Sequence, residues 1–199
     1  MTKVFYDCEF NEDGETIELI SIGAVTEHGS EFYAINGELD LDKLSRNQWL
    51  MENVVPSLPI ETESILNWIG NEDSYVEEEA LVSIYNTFVW NKATIRDRFK
   101  AFLESQIGEL ELWAWYGSYD HVSYAQLFGK MIDLPTTFPR YTNDLRQEVE
   151  RIRKYVDSQV MLKLPVQEQG LHNALEDARH LKARYEWLKG EYQSFIKIL

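Results

Sequence analysis

Two carboxylates lie one residue apart in an apolar, β-favouring segment near the N-terminus. The pattern of residues 4–10 predicts a buried strand. Because alternate residues of a strand share a face, Asp7 and Glu9 should point together while Cys8 points the opposite way. Their repulsion and desolvation must be relieved by protonation, a basic partner or a metal ion. No Lys or Arg follows Lys3 in this segment, so the pattern favours a metal-binding strand.

A chain with 34 acidic residues contains about one Asp-x-Glu pattern by chance, so further ligands are needed to support this hypothesis. Asp120 is one candidate. It follows the aromatic segment 110–116, a predicted strand, and precedes a predicted helix that runs toward Gly129. Ligand sites of α/β sheets commonly form where a strand passes into a helix. The alternative role for Asp120 is a helix cap.

His172 and Asp177 form the most specific pattern. Their His-x-Ala-x-x-Asp spacing has a chance expectation of roughly one in a hundred in this composition, and it lies at the start of the last predicted helix. Together with Asp7, Glu9 and Asp120, this pattern provides four carboxylates and one side chain that titrates near neutral pH. Oxygen ligands without a usable thiol suit Mg²⁺ or Mn²⁺ better than Zn²⁺.

Such a set of residues is suited to phosphodiester hydrolysis. Two divalent ions roughly 4 Å apart can hold an attacking water and a leaving oxygen on opposite sides of one phosphate. Asp7 is the best candidate for a ligand shared by both ions. His172 could accept the proton of the attacking water, which makes it the candidate general base.

The three motifs resemble those of the DEDDh superfamily of 3′-5′ exonucleases, and a closer resemblance is to the ribonuclease AS group of bacterial, adenylate-preferring 3′ exoribonucleases. Many superfamily members have Thr directly after the Glu of the first motif, whereas this chain has Phe10, a departure that fits the ribonuclease AS group. The segments that resemble this group span most of the chain: residues 7–10, 18–23, 119–122, 126–129 and 144–147.

This resemblance implies an α/β fold, with a ribonuclease H-like mixed sheet and helices on both faces, and a homodimer. It implies a 3′-5′ exoribonuclease that hydrolyses phosphodiester bonds at single-stranded RNA ends with two Mg²⁺ ions, which Mn²⁺ can replace. It also implies that Asp7, Glu9, Asp120 and Asp177 are catalytic metal ligands and that His172 is the catalytic base.

Two other functions are compatible with parts of this pattern. The first is a DNA-directed or broad single-strand 3′-5′ exonuclease with the same centre. The second is a catalytically inactive module that binds nucleic acid, and the intact set of five residues argues against it.

Composition limits the function classes further. A length of 199 residues with 44% hydrophobic content predicts one domain over residues 1–199. The start lacks the apolar segment of a signal peptide, and no stretch approaches the roughly 18 apolar residues of a membrane span, so a soluble, cytoplasmic protein is expected. The net charge of −15 excludes a broad binder of duplex DNA. A nuclease that holds one strand end through metal ions remains compatible with this charge.

The predicted strands bring the candidate residues into one sheet. Apolar segments 17–25 and 31–35, joined by short Gly-containing turns, predict an antiparallel meander with the first strand. A helical pattern over 95–107 followed by the strand at 110–116 predicts a crossover into a parallel position.

Other segments give weaker signals. They predict short helices at 39–44 and 64–69 and an extended connection at 54–59. The last helix carries a core stripe that includes small residues, which would let it lie close to the sheet. This stripe consists of Ala174, Ala178, Leu181, Tyr185 and Leu188.

RNA binding by so acidic a chain should depend on metal–phosphate contacts and on base stacking against aromatic side chains. Phe10 and Tyr119 are the nearest candidates in the sequence. Phe10 should point opposite to Glu9 if the strand is regular, whereas Tyr119 lies on a freer strand-to-helix turn. Core packing is the alternative for both rings.

A basic cluster stands out against the acidic composition. Arg151, Arg153 and Lys154 lie in a helix predicted over 147–155. They could hold phosphates, but Glu148 and Glu150 are interleaved with them, which favours a surface of ion pairs.

Overall fold

The computed structural model describes residues 1–60, 88–154 and 162–192. Within these ranges, six strands form one mixed sheet in the order β4-β3-β2-β1-β5-β6. The strands are β1 (Thr2–Glu12), β2 (Ile17–Thr26), β3 (Glu31–Asn36), β4 (Val89–Trp90), β5 (Leu110–Ala114) and β6 (Asn143–Asp144).

The centre of the sheet follows the predicted meander. β1 pairs with β2 and β2 pairs with β3, both antiparallel. β5 lies beside β1 in the parallel direction, which confirms the predicted crossover. β4 and β6 add parallel edges to β3 and β5. β1 therefore has neighbours on both sides and lies inside the sheet.

Helices cover both faces of this sheet, as predicted. They are α1 (Leu41–Ser45), α2 (Gln48–Asn53), α3 (Lys92–Glu104), α4 (Ser118–Gln126), α5 (Leu145–Arg153) and α6 (Ala174–Glu191). On one face, Phe99 of α3 and Tyr124 of α4 pack against the sheet in one buried cluster. On the other, Val149 of α5 and Leu181 of α6 pack in a second. Within the described ranges, no helix combines the length and apolar character that a membrane span needs.

The segment that follows α2 differs from the prediction. The predicted extended segment at 54–59 begins instead as a 3₁₀ turn, Val55–Ser57, directly after α2. Pro56 lies in the first turn of this element, where its fixed φ is compatible with helical backbone and its missing N–H costs nothing. The helix predicted at 64–69 lies outside the described residues.

Gly23 allows α6 to approach the sheet closely. It lies in β2 directly opposite Asp7 of β1. A methyl group at Gly23 would overlap the backbone of Ala174 and Leu175 in the first turn of α6. The small residue is therefore required at this position, because it lets the start of α6 lie directly over the strand pair that carries the acidic motif.

Gly23→Ala should destabilise the protein by about 2–3 kcal/mol, because the added methyl must push the first turn of α6 away from β2. Urea unfolding followed by circular dichroism measures this change. Gly190→Ala is the matched control, since nothing lies within 4 Å of a Cβ there. It lies in the last turn of α6, so it should leave stability unchanged or raise it by up to about 1 kcal/mol. An unchanged urea midpoint for Gly23→Ala would contradict this account of the packing.

Candidate active site

The two carboxylates of β1 lie on the face that α6 covers. Phe5 of the same strand packs in the core cluster with Ala178 of α6, and Asp7 and Glu9 follow it at alternate positions. Glu9 is only 8% exposed. Cys8 points the other way and is buried in the opposite core cluster, as predicted. β1 thus presents both acids to the start of α6.

Asp120 reaches the same place from the neighbouring helix. β5 pairs only with residues Thr2 to Phe5 of β1, so the second half of β1 extends beyond its partner. The first turn of α4 covers this part of the edge, and Asp120 Oδ1 accepts a hydrogen bond of 2.8 Å from the backbone N–H of Cys8. The side chain is 5% exposed. Asp120 lies in the first turn but its carboxylate is directed at β1, so the role goes beyond that of a simple helix cap.

The turn before α6 orients His172 and Asp177. Asn173 caps the helix, because its side chain accepts hydrogen bonds from the backbone N–H groups of Leu175 and Glu176. His172 precedes this cap in the left-handed region, with φ of 63°. Its backbone N–H donates a hydrogen bond to Asp177 Oδ2 at 3.0 Å. This bond links the loop before α6 to the first turn of the helix.

Glu9, His172 and Asp177 converge on one point. Each offers a ligand atom, and these atoms lie within 4.8 Å of one another. The His172 ring packs edge to face against the exposed ring of Trp49, with centroids 5.0 Å apart. Its backbone carbonyl accepts a hydrogen bond from the hydroxyl of Ser57. The imidazole is therefore held on both its ring and its backbone.

Burial raises the pKa values of all four carboxylates, and the charges of neighbouring site carboxylates raise those of Asp7 and Glu9 further. Burial, and then the charges of Asp177 and Asp120, raise the pKa of Glu9 to about 8. Burial raises the pKa of Asp120 to about 7, although the N–H of Cys8 opposes the rise. Burial and the other three carboxylates raise the pKa of Asp7 well above its usual range. Burial also raises the pKa of Asp177.

Arg184 lowers the pKa of Asp177 through its charge but forms no ion pair with it in the described part of the chain. Among the described residues, no Lys or Arg forms an ion pair with any of the four carboxylates. Of the three remedies for clustered acids, protonation and metal ions therefore remain. Oxygen donors in this number, with one imidazole beside them, fit Mg²⁺ or Mn²⁺.

Three supporting residues were not predicted from the sequence. Trp49 and Ser57 hold His172, and Gln167 donates from Nε2 to Asp177 Oδ1 at 2.6 Å. Each belongs to a segment with no strong periodic pattern, and no spacing rule links it to the motifs. The exposed aromatic ring at Trp49 gives no signal until the fold places it beside the imidazole.

The two predicted stacking residues touch each other. Phe10 packs at the margin of the core cluster on the face opposite to Glu9, and its ring contacts that of Tyr119 edge to face at 5.7 Å. The register with β2 shifts between Glu9 and Phe10. Tyr119 remains about half exposed. Of the two rings, Tyr119 is thus the more accessible from solvent.

The overall fold resembles that of a known nuclease. The chain matches E. coli exonuclease I, solved in complex with a dT13 oligonucleotide, with a TM-score of 0.64 and 11% sequence identity. The match covers 99% of this chain and 43% of that chain, so this chain spans less than half the length of exonuclease I. Similarity at this identity shows the fold alone, and the ribonuclease H-like architecture expected from the sequence is confirmed.

Sequence comparisons give the family. Two relatives from Mycobacterium tuberculosis are each 36% identical over 183 residues, which are 92% of this chain and 90% of the relative. They are the 3′-5′ exoribonuclease Rv2179c of strain H37Rv and the 3′-5′ exoribonuclease MT2234.1 of strain CDC 1551. The sequence profile of the 3′-5′ exoribonuclease Rv2179c-like domain matches residues 2–187. Since both matches extend over most of the chain, the protein belongs to the Rv2179c-like 3′-5′ exoribonuclease domain family.

Proposed function

We propose that this protein is a DEDDh-type 3′-5′ exoribonuclease that hydrolyses the terminal phosphodiester bond of single-stranded RNA with two divalent cations. One observation carries the proposal. Glu9, His172 and Asp177 place ligand atoms within 4.8 Å of one another, the charges of Asp7 and Asp120 act on the same carboxylates, and among the described residues no Lys or Arg forms an ion pair with any of the four acids. A phosphodiester is the anion that cations held there would attract, and it is the bond that an exoribonuclease cleaves.

The carboxylates supply the ligands in this proposal. Bound divalent cations would neutralise them, hold the attacking water and stabilise charge on the phosphate. Asp7, Glu9, Asp120 and Asp177 provide oxygen atoms that suit Mg²⁺, which Mn²⁺ can replace. Asp7 is the proposed shared ligand, because its pKa responds to the charges of all three others.

His172 acts as the general base in this proposal. A base must be held in a fixed direction to accept a proton from water, and the contacts with Trp49 and Ser57 restrict the imidazole in this way. Its ring also lies close enough to Glu9 and Asp177 to bind a metal ion together with them. The two roles differ in what a substitution does to metal affinity.

Finer features of the substrate rest on resemblance and on the aromatic residues. Similarity to the ribonuclease AS group supports a preference for adenylate at the 3′ end. The accessible ring of Tyr119, backed by Phe10, is the proposed surface for base stacking. A homodimer and a cytoplasmic location remain predictions from the sequence.

A DNA-directed or broad single-strand exonuclease is the second candidate. The observation in its favour is the fold likeness to exonuclease I, which was solved with a DNA oligonucleotide. Digestion of 5′-labelled oligo(A), oligo(U), oligo(C) and matched DNA with Mg²⁺ separates the two. A ladder that shortens from the 3′ end only with RNA supports the exoribonuclease, and equal digestion of DNA supports the second candidate.

Asp7→Asn should lower the turnover of oligo(A) at least about 10³-fold, because it removes the shared ligand of both ions. Turnover is measured with Mg²⁺ after circular dichroism confirms the fold. Asp42→Asn is the matched control, since Asp42 lies exposed on α1. Near-normal turnover in Asp7→Asn would exclude the two-metal arrangement.

His172→Ala should lower turnover by roughly 10²- to 10⁴-fold and leave Mn²⁺ affinity almost unchanged, because a base takes part in proton transfer and does not hold the ion. Single-turnover kinetics and calorimetric titration with Mn²⁺ give the two quantities. His28→Ala, in an exposed turn, is the control. A large loss of Mn²⁺ affinity in His172→Ala would instead make His172 a ligand.

The metal-free protein should lose stability as pH rises from about 4 to about 8. The pKa values of Glu9 and Asp120 are raised to about 8 and about 7, so the folded state keeps protons that the unfolded chain releases near pH 4. Their contribution to stability is therefore complete below pH 4 and lost as pH rises through the folded pKa values. Thermal unfolding at pH 5 and pH 8, with EDTA or Mg²⁺, should show a Tm gain from Mg²⁺ that is larger at pH 8.

Asp7→Asn provides the comparison for this pH effect. It removes one of the interacting charges, so its metal-free Tm should fall less between pH 5 and pH 8 than that of the native protein. It should also gain less from Mg²⁺ at pH 8. Identical pH profiles for the two proteins would mean that the carboxylate cluster does not control stability.

A further inference from the structure

A groove adjoins the candidate active site on the β6 side. It is formed where β5 passes into α4 and where β6 passes into α5, and its volume is about 670 Å³. Its walls include Tyr116 and Ser118 from the first connection, and Asp144, Arg146, Arg151 and Lys154 from the second. None of these residues belongs to the proposed metal ligands or the proposed base.

The groove lies beside Asp120 of the site. Asp144 lines the groove, and its charge contributes to the raised pKa of Asp120. Asp144 Oδ1 also accepts hydrogen bonds from the backbone N–H groups of Tyr116 and Arg146, at 3.2 and 2.9 Å. Ser118 begins the helix that carries Asp120. A strand that leaves the carboxylates past Asp120 therefore has the groove two residues along the same helix, at Ser118.

An exposed aromatic ring lines this groove. Tyr116 is 63% exposed, two residues after the end of β5, and its φ of 58° is uncommon for a residue with a side chain. The guanidinium carbon of Arg146 lies 5.8 Å from the centre of its ring. An exposed ring with a cation close to it offers a base one stacking surface and the adjoining phosphate one positive charge.

The charge of the groove differs from that of the whole protein. Three cations line it, against the carboxylates of Asp144 and Glu150, in a chain whose net charge is −15. Arg146 pairs with Glu150, and Arg151 pairs with Glu148. Lys154 is exposed and has no ion-pair partner within the described ranges. The basic cluster of the sequence is thus divided, since Arg153 pairs with Glu150 and does not line the groove.

From this arrangement we infer that the groove binds the single-stranded RNA on the 5′ side of the scissile bond, with a base stacked on Tyr116 and a phosphate near Arg146 and Lys154. The inference rests on the proposed function, which places the terminal phosphodiester at the carboxylates. An exonuclease releases a single nucleotide on the 3′ side, so only the 5′ side carries further chain that an extended groove could hold. Binding there supplies the attraction that the net charge of the protein lacks.

Binding is tested directly with a 5′-fluorescein-labelled oligo(A) of eight nucleotides, by anisotropy with Ca²⁺ in place of Mg²⁺. Tyr116→Leu should weaken Kd about tenfold, and Tyr116→Phe, which keeps the aromatic ring, should retain native affinity. Lys154→Gln should weaken Kd and reduce the slope of log K against log salt by about 0.7. Lys100→Gln makes the same charge change on α3, which packs at the opposite edge of the sheet, and should have no effect.

Turnover gives the second measurement. The KM of the native enzyme should fall as the RNA lengthens from two to eight nucleotides, and Tyr116→Leu should remove most of that fall. Native Kd values in both Tyr116→Leu and Lys154→Gln would overturn the inference. Absence of RNA cleavage by the native enzyme would refute the proposed function instead, while the anisotropy series would still decide whether the groove binds the strand.

Discussion

The main physical constraint on this structure is that four carboxylates lie close together beside the second half of β1. Burial raises the cost of their charge, and among the described residues no Lys or Arg forms an ion pair with them, although the charge of Arg184 lowers the pKa of Asp177. Such an arrangement persists only if packing elsewhere holds it together. The two core clusters on opposite faces of the sheet provide that packing, and the acids lie where the helices of both faces begin.

Two of the acids accept hydrogen bonds from backbone N–H groups. Asp120 accepts from the N–H of Cys8, and Asp177 accepts from the N–H of His172. These dipoles stabilise the ionised form without neutralising it, so the negative charge remains available to a cation. Gly23 also helps to position the site, because it lets the first turn of α6 lie against the strand pair of β1 and β2. Packing density and site geometry are therefore set by the same contacts.

Local patterns in the sequence predicted the features that are encoded locally. The meander, the crossover before β5 and the position of Asp120 after that strand follow from short apolar runs and from their order. Ser57 and Gln167 could not be predicted, because their roles arise from contacts that the fold creates. The hydroxyl of Ser57 meets a carbonyl 115 positions away. No period or spacing rule reports such a contact, and the 3₁₀ turn that directs Ser57 was itself predicted as extended chain.

On the side of β5, the second half of β1 has no partner strand among the described residues, and this has a consequence for association between molecules. A strand that extends beyond its neighbour offers free N–H and C=O groups to any other extended chain, and such edges promote intermolecular β-pairing. In this protein the carboxylate of Asp120 occupies the N–H of Cys8 on that edge. Because this N–H is already occupied by a carboxylate, a further strand cannot pair with it. The residue proposed to bind metal thus also disfavours the pairing of a further strand with this part of β1.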